Sequence, residues 1–247
     1  MTARILIIAG SDSGGGAGIQ ADIKTVTMLG GHAMTAVTAI TAQNTLGVTA
    51  VHPIPTDMVI AQMDAVISDI GVDAIKIGMI GSAETANAVA DYLTYLAVSI
   101  VFDPVMVATS GSSLADAQTI AAFERLIAIA ALTTPNLPEL AALGGEAAMV
   151  GPTLIKGGHS EGNIITDRLI DGGGAEIARW EGSRIDTTST HGTGCTLASA
   201  IACGLGQRLS LTESIERART FVRAALIAAP GLGKGHGPMG HQAVRDL

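Results

Sequence analysis

The chain has 247 residues, 48% of them hydrophobic and only 15% charged, with a net charge of −8. That balance excludes a disordered chain, and the acidic surplus without any Lys/Arg run argues against nucleic acid or an anionic membrane as partner. Aromatics make up 2%, so the core must be built from aliphatic side chains, and the length suits one large α/β domain over residues 1–247.

The opening "RILIIAG" (4–10) has no polar face and reads as a buried strand. It is too short for a signal peptide, and no apolar run reaches the roughly 20 residues of a membrane span. "GSDSGGGAG" (10–18) follows, and residues 17–30 carry apolar side chains at 19, 23, 26 and 29, the helical spacing. A glycine loop between strand and helix is expected to turn N–H groups toward an anion or polar ligand. It is neither a Walker loop nor a dinucleotide fingerprint, since Ile19 stands where the last glycine would be.

Further along, 33–44 reads as a strand ending on Gln43-Asn44, 55–71 as a helix, 74–81 as a strand and 83–96 as a helix. Residues 99–106 read as a strand ending at Asp103-Pro104, 115–131 as a helix and 132–136 as a short strand. Strand–helix repetition with apolar strands predicts a mostly parallel sheet covered on both faces, with ligands at the carboxyl ends of the strands. The second half predicts a strand at 153–159, a hairpin over 163–182, helices near 193–206 and 211–228, and an ordered glycine-rich tail.

"HGTGC" (191–195) is the most informative stretch. If Gly192, Thr193 and Gly194 open a helix, their N–H groups converge as an anion hole. Cys195 then sits in a positive field that lowers its thiol pKa, so a thiolate could take a proton from an attacking hydroxyl. Cys203 reads as a buried, inert residue. At helical spacing the two cysteines lie roughly 12 Å apart, too far for a disulfide, and a reduced, cytoplasmic setting is expected. Asp103 and Glu139, at neighbouring strand ends, are candidate Mg²⁺ carboxylates. Lys156 and Lys234 are candidate phosphate or nucleotide contacts, and the six histidines show no metal-ligand spacing.

"IAGSDSGGGAGIQADIKT", "TAITAQNTLGV", "KIGMIG", "DPVMVATSG", "TPNLPE", "IKGGH", "THGTGCTLASAIA" and "GKGHGP" together resemble the hydroxymethylpyrimidine/phosphomethylpyrimidine kinases of thiamine biosynthesis, in order and over nearly the whole chain. The resemblance implies a ribokinase-like three-layer α/β/α sandwich and an ATP- and Mg²⁺-dependent kinase. Its substrates would be 4-amino-5-hydroxymethyl-2-methylpyrimidine and the monophosphate. It implies pyrimidine contacts at Asp22, Gln43 and Met79, with Ala17, Thr41 and Val105 nearby. It implies an anion hole at Gly192, Thr193 and Gly194, and Cys195 as base. Asp103 and Glu139 fall in the Mg²⁺-phosphate region, and Asn136 and Lys234 on the nucleotide side. A homodimer is expected on the same ground.

Two departures stand out: Thr109 replaces a family lysine, and only residues 140–155 separate Glu139 from Lys156, too few for the usual whole helix. Alternatives are a pyridoxal or pyridoxine kinase, and a weakly catalytic pyrimidine-binding protein.

Overall fold

Strand β1 (Arg4–Asp12) is apolar on both faces because both faces are covered. Ile5, Ile7 and Ala9 enter one hydrophobic cluster, and Leu6 and Ile8 enter the other. Each fully buried aliphatic side chain of this kind contributes about 1.5–3 kcal/mol relative to exposure. The computed structural model describes residues 2–108, 111, 114–159 and 162–244; Thr109 lies outside them.

The chain continues as α1 (Gly18–Met28), β2 (His32–Asn44), β3 (Gly47–Pro53), α2 (Thr56–Asp69), β4 (Ala74–Ile77), α3 (Ala83–Leu93) and β5 (Ser99–Phe102). Then come α4 (Ala117–Ile129), β6 (Leu132–Thr133), α5 (Leu137–Ala142), β7 (Thr153–Ile155), β8 (Ile164–Ile170), β9 (Glu176–Ser183), α6 (Thr193–Gly206) and α7 (Leu211–Ile227). One nine-stranded sheet runs β3-β2-β1-β4-β5-β6-β7-β8-β9. Strands β2, β1, β4, β5, β6 and β7 pair in parallel, whereas β3 pairs antiparallel with β2, β8 with β7 and β9 with β8.

Helices α1, α6 and α7 share the first cluster, through Val26, Ile201 and Phe221. Helices α2, α3 and α4 share the second, through Met63, Val89 and Phe123. This is the expected three-layer α/β/α sandwich. The sheet grows outward from β1 in both directions, first to β2 and then back to β4. The topological switch point, where such folds bind ligands, therefore lies between the carboxyl ends of β1 and β4.

Strand β3 was not foreseen; its exposed Ala50, Val51 and His52 leave no alternating pattern to read. Strands β4, β5 and β7 stop earlier than expected, because the residues after Ile77, Phe102 and Ile155 turn away from the ladder to line the cavity described below. The crossover from β6 to β7 is short, as its length demanded. It holds the six-residue α5 and a single 3-10 turn at Glu146–Ala148.

Candidate active site

A cavity of about 880 Å³ opens at the carboxyl ends of β1, β4, β5 and β7. Gln43, Thr41, Ala17, Met79 and Val105 line one end of it. Asp103, Asn136, Glu139 and Lys156 line the other, and Gly192, Thr193, Gly194 and Cys195 lie between. Most of the residues expected from sequence are thus gathered on one cavity. Asp22 and Lys234 are not among its walls.

Helix α6 begins at Thr193 and, like α1 and α2, has no side-chain cap, whereas α3, α4, α5 and α7 are capped by Ser82, Asp116, Asn136 and Ser210. The first N–H groups of a helix have no partner inside it. The Thr193 N–H makes a long contact of 3.4 Å to the Thr190 carbonyl. Among the described residues, the N–H groups of Gly194 and Cys195 have no hydrogen-bond acceptor, and both residues face the cavity. Gly192 must be glycine: its φ is +84°, and a Cβ there would lie 1.9 Å from the Gly16 carbonyl oxygen. At Gly194 a Cβ would sit 3.2 Å from Lys156 Nζ and 3.4 Å from Asp103 Oδ2, so the cation and carboxylate stand against the bare helix start.

Lys156 Nζ donates to Asp103 Oδ1 at 2.8 Å and lies 3.8 Å from Glu139 Oε2. Thr134 Oγ1 also donates to Asp103 Oδ1, at 3.0 Å. Burial, helped by the Asp103 charge, raises the Glu139 pKa against the pull of Lys156. Burial works against charge on Lys156, but Asp103 and Glu139 outweigh it and raise its pKa. Asn136 and Glu139 form a capping box on α5, each side chain accepting the other's N–H at 2.8 Å. Among the described residues no three His, Cys, Asp or Glu side chains cluster as a metal cage. Two neighbouring carboxylates do fit Mg²⁺, which is commonly held by one or two carboxylates with water and substrate phosphates completing its shell.

Four expectations need correction. First, the glycine loop spends its N–H groups internally. Gly14 donates to Asp12 Oδ1 at 2.7 Å, and Gly16 and Ala17 donate to Asp12 Oδ2 at 3.0 and 2.9 Å. The loop is folded around a carboxylate of its own chain and is not an anion receptor. Burial opposes the Asp12 charge, but the His191 contact and these N–H groups hold its pKa below the usual value.

Second, Asp22 is fully buried beneath the site. It accepts from Lys76 Nζ at 2.8 Å and from Ser199 Oγ at 2.7 Å. Lys76 itself lies at the cavity floor. Burial disfavours charge on both partners: it raises the Asp22 pKa against the pull of Lys76, while Asp22, Cys195 and Asp103 raise that of Lys76, and the 2.8 Å contact holds the two together.

Third, Cys195 is not activated in the resting site. Burial pushes its thiol up to about 11, with the nearby Asp22 and Asp103 charges assisting. Lys76 and the Gly18 N–H pull the other way without winning. Fourth, Lys234 is exposed on the tail, whose Lys234 and Gly235 N–H groups donate to Thr45 Oγ1 at 3.1 and 3.3 Å. The tail is therefore tied to the β2–β3 turn, and Lys234 is not among the residues lining the cavity.

Sequence reasoning missed Asp12, His191 and Lys76. A lysine inside the apolar run "AIKIGMIG" and an Asp preceding a glycine run were the available signals.

A model of the phosphomethylpyrimidine kinase family matches residues 12–153 and 147–240 of the chain. A hydroxymethylpyrimidine/phosphomethylpyrimidine kinase of Rhizobium meliloti is 47% identical, the match covering 98% of this chain and 97% of that one. One from Streptomyces coelicolor is 44% identical over 96% of this chain and 93% of that one. Among solved structures, an ADP complex of Bacillus subtilis pyridoxal kinase is similar with a TM-score of 0.89 at 32% identity, covering 98% of each chain. A phosphomethylpyrimidine kinase from Clostridium difficile is similar with a TM-score of 0.75 at 33% identity, over 90% of this chain and 98% of that one. The uncapped α6 start beside Lys156, the Gln43 end of the cavity and these full-length likenesses lead to one conclusion: the chain belongs to the phosphomethylpyrimidine kinase family.

Proposed function

We propose that the protein transfers the γ-phosphoryl group of ATP to 4-amino-5-hydroxymethyl-2-methylpyrimidine and then to its monophosphate, in thiamine biosynthesis. The observation that carries this reading is the pair of unpartnered N–H groups at Gly194 and Cys195, between an amide-bearing end of the cavity and a lysine–carboxylate end. Phosphoryl transfer asks mainly for positioning and electrostatic stabilisation, and both are built here.

Gln43 offers a donor and an acceptor to a heterocycle, and Met79 flanks the ring. The Gly194 and Cys195 N–H groups receive the charge that develops on the phosphoryl oxygens. Lys156 adds a fixed positive charge next to them. Leu197, Val222 and Leu226 line an apolar part of the cavity suited to a flat base. Mg²⁺, held by Asp103 and Glu139 through water or directly, would neutralise phosphate charge when bound. Cys195, in its thiolate form, accepts the proton of the attacking hydroxyl and becomes the thiol, and the loose transition state of phosphoryl transfer demands it only late. One continuous sheet carries both ends of the cavity, which supports a single kinase domain over 1–247. The exposed Ile40, Leu46 and Val51 of the β2–β3 ribbon support a homodimer.

The backbone likeness to pyridoxal kinases favours a second reading, in which pyridoxal is the acceptor. A coupled ADP-release assay with the pyrimidine, its monophosphate and pyridoxal tests both. ADP release with the two pyrimidines is expected; release with pyridoxal alone would replace the reading, and tight pyrimidine binding without ADP would leave a binding protein.

A further inference from the structure

Gln43 is held more tightly than a substrate-contacting side chain on a strand end needs to be. Its backbone is clasped from both sides by Ser13, whose Oγ donates to the Gln43 carbonyl and accepts the Gln43 N–H, each at 2.8 Å. Its side-chain amide lies between Thr41 Oγ1 at 3.0 Å and His191 Nε2 at 3.2 Å. His191 Nε2 is in turn 2.9 Å from Asp12 Oδ2.

Counting hydrogens fixes how these groups are arranged. An ionised carboxylate only accepts, and Asp12 already accepts the Gly14, Gly16 and Ala17 N–H groups. His191 Nε2 must therefore carry a proton to meet it. A protonated Nε2 cannot accept from an amide nitrogen, so the amide atom facing it must be oxygen. Amide oxygen and nitrogen are assigned from such networks and not from atom positions. With the oxygen toward His191, the Gln43 nitrogen faces Thr41 and donates to Oγ1. The single Thr41 hydroxyl hydrogen is then free for the Ser11 carbonyl, 3.1 Å away. The Gln43 N–H and the Thr41 hydroxyl then each find one acceptor, and the His191 Nε2 hydrogen, directed at Asp12, is shared with the Gln43 oxygen. The opposite amide orientation sets two nitrogens, both donors, face to face and asks one Thr41 hydrogen to serve two acceptors.

We propose that Asp12 and His191 are positioning residues that lock the Gln43 amide with its oxygen on His191 and its nitrogen on Thr41, and thereby make the site select a 4-amino over a 4-oxo pyrimidine edge. This rests on the proposed function. The amide keeps one acceptor lobe and one N–H for the cavity, in a fixed order. A 4-amino-pyrimidine presents a donor beside a ring acceptor, whereas its 4-oxo analogue presents the reverse. A locked amide serves one of these; a freely turning amide serves either.

Two measurements test it. In unliganded ¹⁵N-labelled enzyme, long-range ¹H–¹⁵N spectra are expected to show His191 protonated at Nε2; a lone pair at Nε2 overturns the lock. That readout does not depend on which substrate the enzyme uses. The second compares kcat/KM for 4-amino-5-hydroxymethyl-2-methylpyrimidine and its 4-oxo analogue. The wild-type preference is expected to exceed about 100-fold, since sites that hydrogen-bond an edge strongly reject the mismatched one. His191→Leu, and separately Thr41→Val, are expected to narrow that ratio at least about tenfold. A purely structural role would scale both substrates together and leave the ratio intact, and an unchanged ratio in whichever variant folds overturns the proposal. Wild-type turnover of the amino substrate, by contrast, reports only on the proposed function.

Discussion

Lys156 Nζ is held 2.8 Å from Asp103 Oδ1, joining the residues that follow β7 and β5 directly opposite the start of α6. The lysine is poised to exchange a carboxylate partner for a phosphate. Lys156→Met is expected to lower kcat/KM for ATP by about 10²–10³-fold, the usual cost of removing one group that stabilises transferring charge. Lys156→Arg should recover part of it, because the charge returns in a different shape. Steady-state kinetics with varied ATP read both; equal losses in the two variants would remove charge as the explanation.

A thiol with a pKa of about 11 is almost wholly protonated at neutral pH. If Cys195 takes the acceptor's proton as thiolate, the chemical step should rise about tenfold per pH unit from pH 7 toward 10. Cys195→Ala should lose at least about 10²-fold in rate, the usual size of a general-base contribution, and lose that slope. Single-turnover rates across pH decide this. Iodoacetamide labelling of Cys195 should likewise be slow at pH 7 and accelerate with pH, because the thiolate is the nucleophile. A rapid, pH-independent reaction would contradict the raised thiol pKa.

The Asp22–Lys76 ion pair is wholly buried across α1 and β4. Removing one partner strands a charge, typically at about 3–5 kcal/mol. Asp22→Asn should therefore lower the melting temperature by about 6–20 °C, at 2–4 °C per kcal/mol for a chain of this size. Replacing both partners by apolar residues, Asp22→Leu with Lys76→Met, should restore most of that stability. Thermal unfolding of the three variants measures it.

His241 is buried, with its Nε2 2.8 Å from Thr196 Oγ1. Burial, with Lys24 nearby, lowers its pKa to about 4. The folded state thus resists a proton that the unfolded chain binds near pH 6.5. The contribution is fully present above pH 6.5 and is lost as pH falls from there toward 4. Urea unfolding between pH 7 and 4.5 should show declining stability, and His241→Asn should remove close to one proton from that dependence. An unchanged slope would place the proton elsewhere.

The layers were readable because both sheet faces are covered: Leu6 and Ile8 alternate with Ile5 and Ile7 between two cores, so β1 shows no polar side. The start of α6 was readable because "HGTGC" needs Gly192 in a left-handed conformation. Long-range partnership was not readable. Nothing local to "IQADIKT" says that Asp22 turns inward to Lys76, 54 residues later, and away from ligand. Nor does "GSDSGGGAG" reveal that its amides close on Asp12, or that His191, 179 residues on, completes that contact. The helix start alone predicts a lowered Cys195 pKa, whereas burial and the Asp22 and Asp103 charges raise it.

The contact between Gly16 and Gly192 bears on how such enzymes diversify. With the Gly16 carbonyl filling the space any side chain at 192 would need, and the His191 ring 2.5 Å from where a Cβ on Gly16 would lie, the two segments form a matched set that recombination should not shuffle piecemeal. A chimaera that imports residues 10–18 from a distant homologue without 189–195 would lose its fit at both ends of the reaction together. New acceptor preferences should therefore arise by substitutions around this seam, with the seam itself inherited whole.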